Sequence, residues 1–118
     1  MKATPRSRND PFEALADATR RGILDLLRRE DVLTAGEIAA AFPRISRPAV
    51  SRHLRVLRGA DLVIAEESGR EWRYRLNVAA VARLHRDWFA PFMPLWEQSL
   101  SRLKEEVEGS AQQAKRGA

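Results

Sequence analysis

The sequence predicts a mainly α-helical domain carrying one small β-hairpin. Three observations predict it. Helix N-cap signals stand at Asp10, Asp17, Thr34 and Ser46, each ahead of a helix-forming run. One period-2 stretch, Arg70–Leu76, lies just after a second strand-like run, with Ser68-Gly69 between them. From Val81 to Val107, large apolar residues recur at three- and four-residue spacing, which is one face of a helix.

The elements follow in order. Asp10-Pro11-Phe12-Glu13 combines an N-cap, a proline at the first helical position and a glutamate at N3, so a short helix should run to about Ala16. Asp17 caps a second helix, ATRRGILDLLRRE, whose Ile23, Leu24, Leu26 and Leu27 make an apolar face. Thr34-Ala35-Gly36-Glu37 is a second capping box, and it starts a short helix with Ile38 and Phe42 one turn apart. Pro43 ends that helix, because the residue before a proline is pushed out of the α region. Ser46 caps the fourth helix, Pro48 is tolerated in its first turn, and Gly59 and Asp61 mark its end.

LVIAEE and REWRYRL then form the hairpin, with Trp72, Tyr74 and Leu76 alternating with Arg73 and Arg75. Asn77 caps the final segment. Its Pro91 and Pro94 each remove a backbone donor, so a kinked helix or two abutting helices are expected. Residues 1–9 read as a flexible basic arm, 10–108 as one domain, and 109–118 as a flexible tail.

Composition narrows the function. At 118 residues the chain has room for one modest core. It has no cysteine, which excludes disulfides, thiolate metal ligands and a cysteine nucleophile. MKATPRSRND has no apolar h-region, and DWFAPFMPLW is too short and too proline-broken to span a bilayer. A cytoplasmic protein with no membrane association is expected. The net charge of +5 suggests a polyanionic partner, most commonly nucleic acid. Arginine heavily outnumbers lysine, as GC-rich coding alone would produce, so the distribution of the charge carries more weight than its sum.

That distribution is uneven. On a wheel of about 100° per residue, Ala49, Val50, His53, Leu54, Val56, Leu57 and Ala60 share one arc of the fourth helix. Arg47, Pro48, Ser51, Arg52, Arg55 and Arg58 share the other. No acid occurs from Arg44 to Arg58. An ordinary solvated helix face mixes signs in i,i+4 pairs. A positive, small-residue face beginning at a helix N-terminus suits phosphate contacts, and arginine forks also match guanine edges in the major groove. A short capped helix, a tight connection and a basic helix have the form of a helix-turn-helix. The hairpin that follows, with Arg70, Arg73 and Arg75, makes it the winged variant, whose hairpin can reach the backbone or minor groove. Double-stranded DNA is the partner this pattern fits.

The last segment also carries more large apolar residues than a chain of this size comfortably covers: Leu84, Trp88, Phe92, Leu95, Trp96, Leu100 and Leu103. Phe12 and Leu15 should help bury them in an isologous two-fold homodimer.

"FEALADATRRGILDLL", "LTAGEIAAAF", "SRPAVSRHLRVLRGADLV", "GREWRYRLN" and "DWFAPFMPLWEQSLSRLKEEVE" occur in the order seen in the ArsR family of bacterial winged-helix repressors. The chain resembles this family over about residues 10 to 108, and most closely its cysteine-free, autorepressor-like branch. The resemblance implies a homodimer that joins through its first and last helices, occupies operator DNA and blocks transcription. It also implies that Ser46, Arg47, Pro48, Ser51 and Arg52 face bases or backbone, and Arg55 a phosphate.

The family's metal chemistry does not carry over. Its thiolate site needs a Cys-x-Cys pattern where this chain reads Gly36-Glu37-Ile38-Ala39. Its other common site uses paired Asp and His ligands on the last helix, where His85 and Asp87 are the nearby candidates and no second histidine follows. His85 reads as a surface or interface residue, and His53 as a buried histidine with one backbone partner. No metal or other cofactor is expected, and the sequence names no small-molecule inducer.

Two other classes compete. An enzyme would need an activated nucleophile or an acid–base pair in a pocket, and no such combination and no glycine-rich phosphate loop stands out. A winged helix can also serve as a protein-association adaptor without binding DNA. Loss of the arginine face would favour that reading, and here the face is intact.

Overall fold

Every helix in the first half of the chain begins where a side chain can satisfy its first unpaired amides. In the computed structural model, which describes residues 10–116, Asp10 accepts from the Phe12 N–H at 2.9 Å and opens α1 (Pro11–Leu15). Asp17 accepts from the Arg20 N–H at 3.0 Å and opens α2 (Ala18–Glu30). Ahead of α3 (Ala35–Ala41), Glu37 N–H donates to the Thr34 hydroxyl at 3.1 Å and Thr34 N–H donates back to the Glu37 carboxylate at 2.9 Å. Ser46 accepts from Ala49 N–H at 3.2 Å and opens α4 (Arg47–Gly59). Helix α3 stops because Phe42 leaves helical geometry, at φ −125° and ψ 67°, directly before Pro43. The expected arm at residues 1–9 lies outside the described residues.

The hairpin is β2 (Val63–Ser68) and β3 (Glu71–Leu76), with Gly69 at φ 64° in its turn. A third strand, β1 (Val32–Thr34), pairs antiparallel with the other side of β3, so the sheet order is β1-β3-β2. The sequence carries no strand signal there. Tyr74 stands opposite Leu33 on one side and Ala65 on the other, while Arg75 stands between Val32 and Ile64. One face of the sheet therefore carries Leu33, Val63, Trp72, Tyr74 and Leu76. The other carries Thr34, Glu66, Arg73 and Arg75.

The chain divides into two compact units at Ala82/Arg83. In the first, the core is built from Ile23 and Leu27 of α2, Ile38 of α3, Val50, Leu54 and Leu57 of α4, and Leu62 with Val63 at the start of β2. Leu33, Tyr74 and Leu76 pack against it from the sheet. No polar or charged residue is buried among the described residues. Gly22 lets α2 and Phe42 approach closely, because a Cβ there would lie 3.2 Å from the Phe42 ring. Helix α5 (Val78–Leu84) starts in this unit and runs two residues past its boundary. Asn77 accepts from Ala80 N–H at 3.3 Å and donates to the Asp61 carbonyl at 2.8 Å, which ties the helix start to the end of α4.

In the second unit the winding changes rather than the chain breaking. A π-helical turn (His85–Phe89) and a 3₁₀ turn (Ala90–Phe92) lead into α6 (Met93–Arg116). Pro91 falls in the 3₁₀ turn and Pro94 in the first turn of α6, where a missing amide costs least. Helix α6 also continues through Gly109 and Ser110 to Arg116, past the point where a flexible tail was expected, because Ala111 to Lys115 are helix-forming residue types. Residues 117–118 lie outside the described residues.

Two of the capping carboxylates are held below their ordinary pKa. The Arg20 amide holds the Asp17 carboxyl below its ordinary value. The Thr34 amide and hydroxyl do the same for Glu37, with the charge of Arg73 adding a smaller part. A lowered pKa stabilises the fold above the unfolded value, and the benefit disappears as pH falls through the lowered one. Glu37→Gln keeps an acceptor at N3 but does not titrate. Urea unfolding between about pH 5 and pH 3 should therefore show this variant losing less stability than wild type. Identical acid slopes would contradict the assignment.

Candidate nucleic-acid interface

Helices α3 and α4 are joined by a turn of three residues beyond Phe42, held by Ile45 N–H donating to the Phe42 carbonyl at 3.0 Å. Ile45 is half-buried and anchors the turn on the core. The amphipathic division of α4 matches the wheel. Val50, Leu54, Leu57 and Ala60 are buried, and Ala49, His53 and Val56 are half-buried. Ser46, Arg47, Pro48, Ser51, Arg52, Arg55 and Arg58 are all exposed, as is Arg44 before the helix.

The charge on that face is uncompensated. Helix α2 shows the ordinary arrangement, with Asp25 pairing Arg28 at 2.7 Å and Arg29 at 3.4 Å. Among the described residues, Arg44, Arg47, Arg52 and Arg55 have no carboxylate partner. Arg47 lies back over the start of α3, with one guanidinium nitrogen 3.0 Å from where a Cβ on Gly36 would stand. Residues Glu13, Ala14, Arg20, Arg52, Arg55 and Val56 line a groove beside this face.

The wing arginines separate into two groups. Arg70 sits at the turn after Gly69 and is exposed. Arg73 and Arg75 project from the sheet face opposite the one that packs on the core, and Arg75 pairs with Glu66 at 3.0 Å. The structure therefore does not bring Arg73 and Arg75 together with the arginines of α4. Arg58, at the end of α4, has its guanidinium carbon 5.1 Å from the Trp72 ring centroid.

His53 differs from expectation. It is half-buried and has side-chain neighbours in place of a backbone partner: Nδ1 lies 3.5 Å from an Arg20 nitrogen and 3.8 Å from an Asp17 oxygen. Arg20, which no sequence motif marks, donates to the Ala14 carbonyl at 2.8 Å and the Glu13 carbonyl at 3.0 Å. It thus caps the end of α1, belongs to α2 and touches α4. The sequence signal was an arginine three residues into a helix that directly follows a shorter one. Arg20→Met should lower stability by roughly 1–3 kcal/mol in urea unfolding, because it strands the part-buried Ala14 carbonyl and leaves the Glu13 carbonyl with the Ala16 N–H alone. Arg20→Lys should not restore it, since only a planar fork spans both acceptors and His53. Full rescue by lysine would show that charge alone matters.

The residues expected at a dimer interface fall into two states. Leu15 and Leu84 are half-buried, and Leu15 packs on the core. Phe12, Trp88, Phe92, Leu95, Trp96, Leu100 and Leu103 are exposed, Leu95 to 60% and Trp96 to 58%. Trp88 stacks obliquely on Phe92 at 4.9 Å and edge-on to Phe89 at 5.2 Å. His85 is exposed, and Asp87 accepts from Arg86 at 3.1 Å. Among the described residues, no three His, Asp or Glu side chains gather as metal ligands would, and no helix is long and apolar enough to cross a membrane.

Comparison with known proteins places this geometry. Residues 15–64, from the end of α1 into β2, match a helix-turn-helix domain family. The chain is 42% identical over 73 residues to the transcriptional repressor SdpR of Bacillus subtilis, covering 62% of this chain and 79% of that protein. It is 42% identical over 85 residues to the HTH-type transcriptional regulator Rv2034 of Mycobacterium tuberculosis, covering 72% and 78%. Among solved structures, the ArsR family transcriptional regulator RHA00566 superposes with a TM-score of 0.65 at 29% identity, covering 82% of this chain and 97% of that one. The chain belongs to the ArsR family of helix-turn-helix transcriptional regulators.

Proposed function

We propose that this protein is a repressor that binds palindromic operator DNA as a cytoplasmic homodimer and needs no metal to do so. The observation that carries the reading is the arginine face of α4, exposed from Ser46 to Arg58 without one acid to neutralise it. Arg47, Arg52 and Arg55 repel one another there, and no carboxylate offsets the cost. The face is accounted for by a polyanion that replaces the missing acids. Arg47, Ser51 and Arg52 stand near the capped N-terminus of α4, where backbone donors add partial positive charge. In this reading they meet base edges, while Arg44 and Arg55 meet phosphates.

The exposed aromatic and leucine residues of the last segment support the dimer, since a contiguous apolar strip of this size normally lies against a partner. A two-fold dimer presents two copies of α4, so half-sites should lie about one helical turn, roughly 34 Å, apart on one face of the duplex. Light scattering at micromolar concentration should give twice the chain mass. A monomer at that concentration would contradict the dimer.

The DNA reading is tested by a salt titration on the duplex upstream of the gene and on a scrambled control. Affinity should fall with a log–log slope near −0.9 per phosphate neutralised. Arg52→Ala should cost about 1–3 kcal/mol on the operator and little on the scrambled duplex. A chelator should change neither titration. Unchanged discrimination by Arg52→Ala would refute the assignment of α4 as the reading helix, and a chelator-sensitive complex would refute metal independence.

A further inference from the structure

The sheet has three strands over only part of its length. Strand β1 covers β3 from Arg73 to Arg75, and beyond Arg73 the hairpin continues as two strands alone. Every residue from Glu66 to Arg73 is exposed. A bare two-stranded hairpin holds its shape poorly in water, so this outer half would swing relative to α4 unless something tied it down. The observed tie is Trp72. Its register opposite Glu67 puts it on the same sheet face as Tyr74 and Leu76, but past the edge of the core, where it remains 41% exposed. There its ring receives the Arg58 guanidinium at 5.1 Å. That distance lies within the range of a cation–π contact, and arginine stacked this way leaves its in-plane N–H donors free.

We infer that Trp72 is a positioning residue for DNA binding: its stack with Arg58 locks the outer wing to the end of α4 and so places Arg70, at the wing tip, against the phosphate backbone. The inference rests on the DNA reading above. It assigns Arg58 two tasks, gripping the wing with its face and offering N–H donors at its edge. It also explains a large aromatic on an exposed strand position that the core does not need.

The test is a double-mutant cycle read by salt dependence on one duplex, using the full-length protein with wild type, Arg70→Ala, Trp72→Ala and the double variant. Arg70→Ala should make the log–log slope shallower by about 0.9 per wing, hence about 1.8 for a dimer. Trp72→Ala should do nearly the same, although it removes no charge. The double variant should show no further change, because an unplaced Arg70 has nothing left to lose. Trp72→Phe keeps a ring face for Arg58 and should retain most of the slope. If circular dichroism shows Trp72→Ala unfolded, Trp72→Leu, which also removes the ring and no charge, carries the same cycle. The inference is overturned if Arg70→Ala flattens the slope equally with and without Trp72, if Trp72→Ala behaves as wild type, or if Arg70→Ala has no effect. Wild-type protein that holds no duplex at low salt would overturn the DNA reading itself, and the role of Trp72 with it.

Discussion

Val50, Leu54 and Leu57 are withdrawn from water on one side of α4, and most of the first unit is arranged to cover them. Ile23 and Leu27 come from α2, Ile38 from α3, and Leu62 and Val63 from the chain just after α4. Burying each such side chain is worth about 1.5–3 kcal/mol, against a total stability of roughly 5–15 kcal/mol for a domain. One helix therefore anchors a large share of the fold through half of its surface. On the other half, Arg58 meets the Trp72 ring, while Arg47, Arg52 and Arg55 have no carboxylate partner among the described residues. Stability and the proposed DNA contact are divided between two arcs of the same thirteen residues.

The polar contacts around this core hold α4 in place from both ends. Ser46 caps its start, and Asn77 reaches the Asp61 carbonyl just past its end. Midway, His53 meets Arg20 and Asp17 at the start of α2, and Arg20 also grips the last carbonyls of α1. Arg20 thus bridges α1 and α4. Since Phe12 and Leu15 lie on α1, that contact joins the proposed dimer surface to the proposed reading helix. The Arg58–Trp72 stack makes the corresponding link on the other side, from α4 to the wing.

Local chemistry made much of this legible in the sequence. The four caps, the capping box at Thr34 and the stop at Pro43 depend on residues within a turn of each other. The observed starts of α1 to α4 follow from them. The wheel on α4 worked because burial there is periodic. Features set by distant residues were not legible. Strand β1 is three residues long, and it forms only because β3, some forty residues later, leaves an edge open beside it. His53 lay on the apolar arc, but its partners are on α2. Arg73 and Arg75 were grouped with Arg70 by charge, although their alternation with Trp72 and Tyr74 already placed them on the opposite sheet face. There Glu66 pairs Arg75. The prolines signalled an interruption in the last segment, and the π turn at His85–Phe89 is how the backbone absorbs it.

The central claim is that the acid-free arc of α4 meets DNA. It is tested most directly by amide NMR of the isotope-labelled protein as duplex from upstream of its gene is added. The account predicts that the largest shifts fall on Ser46 to Arg58 and around Arg70, with the amides of Glu66 and Arg75 little affected. Shifts confined to α6, or spread evenly over basic residues including those of α2, would contradict it.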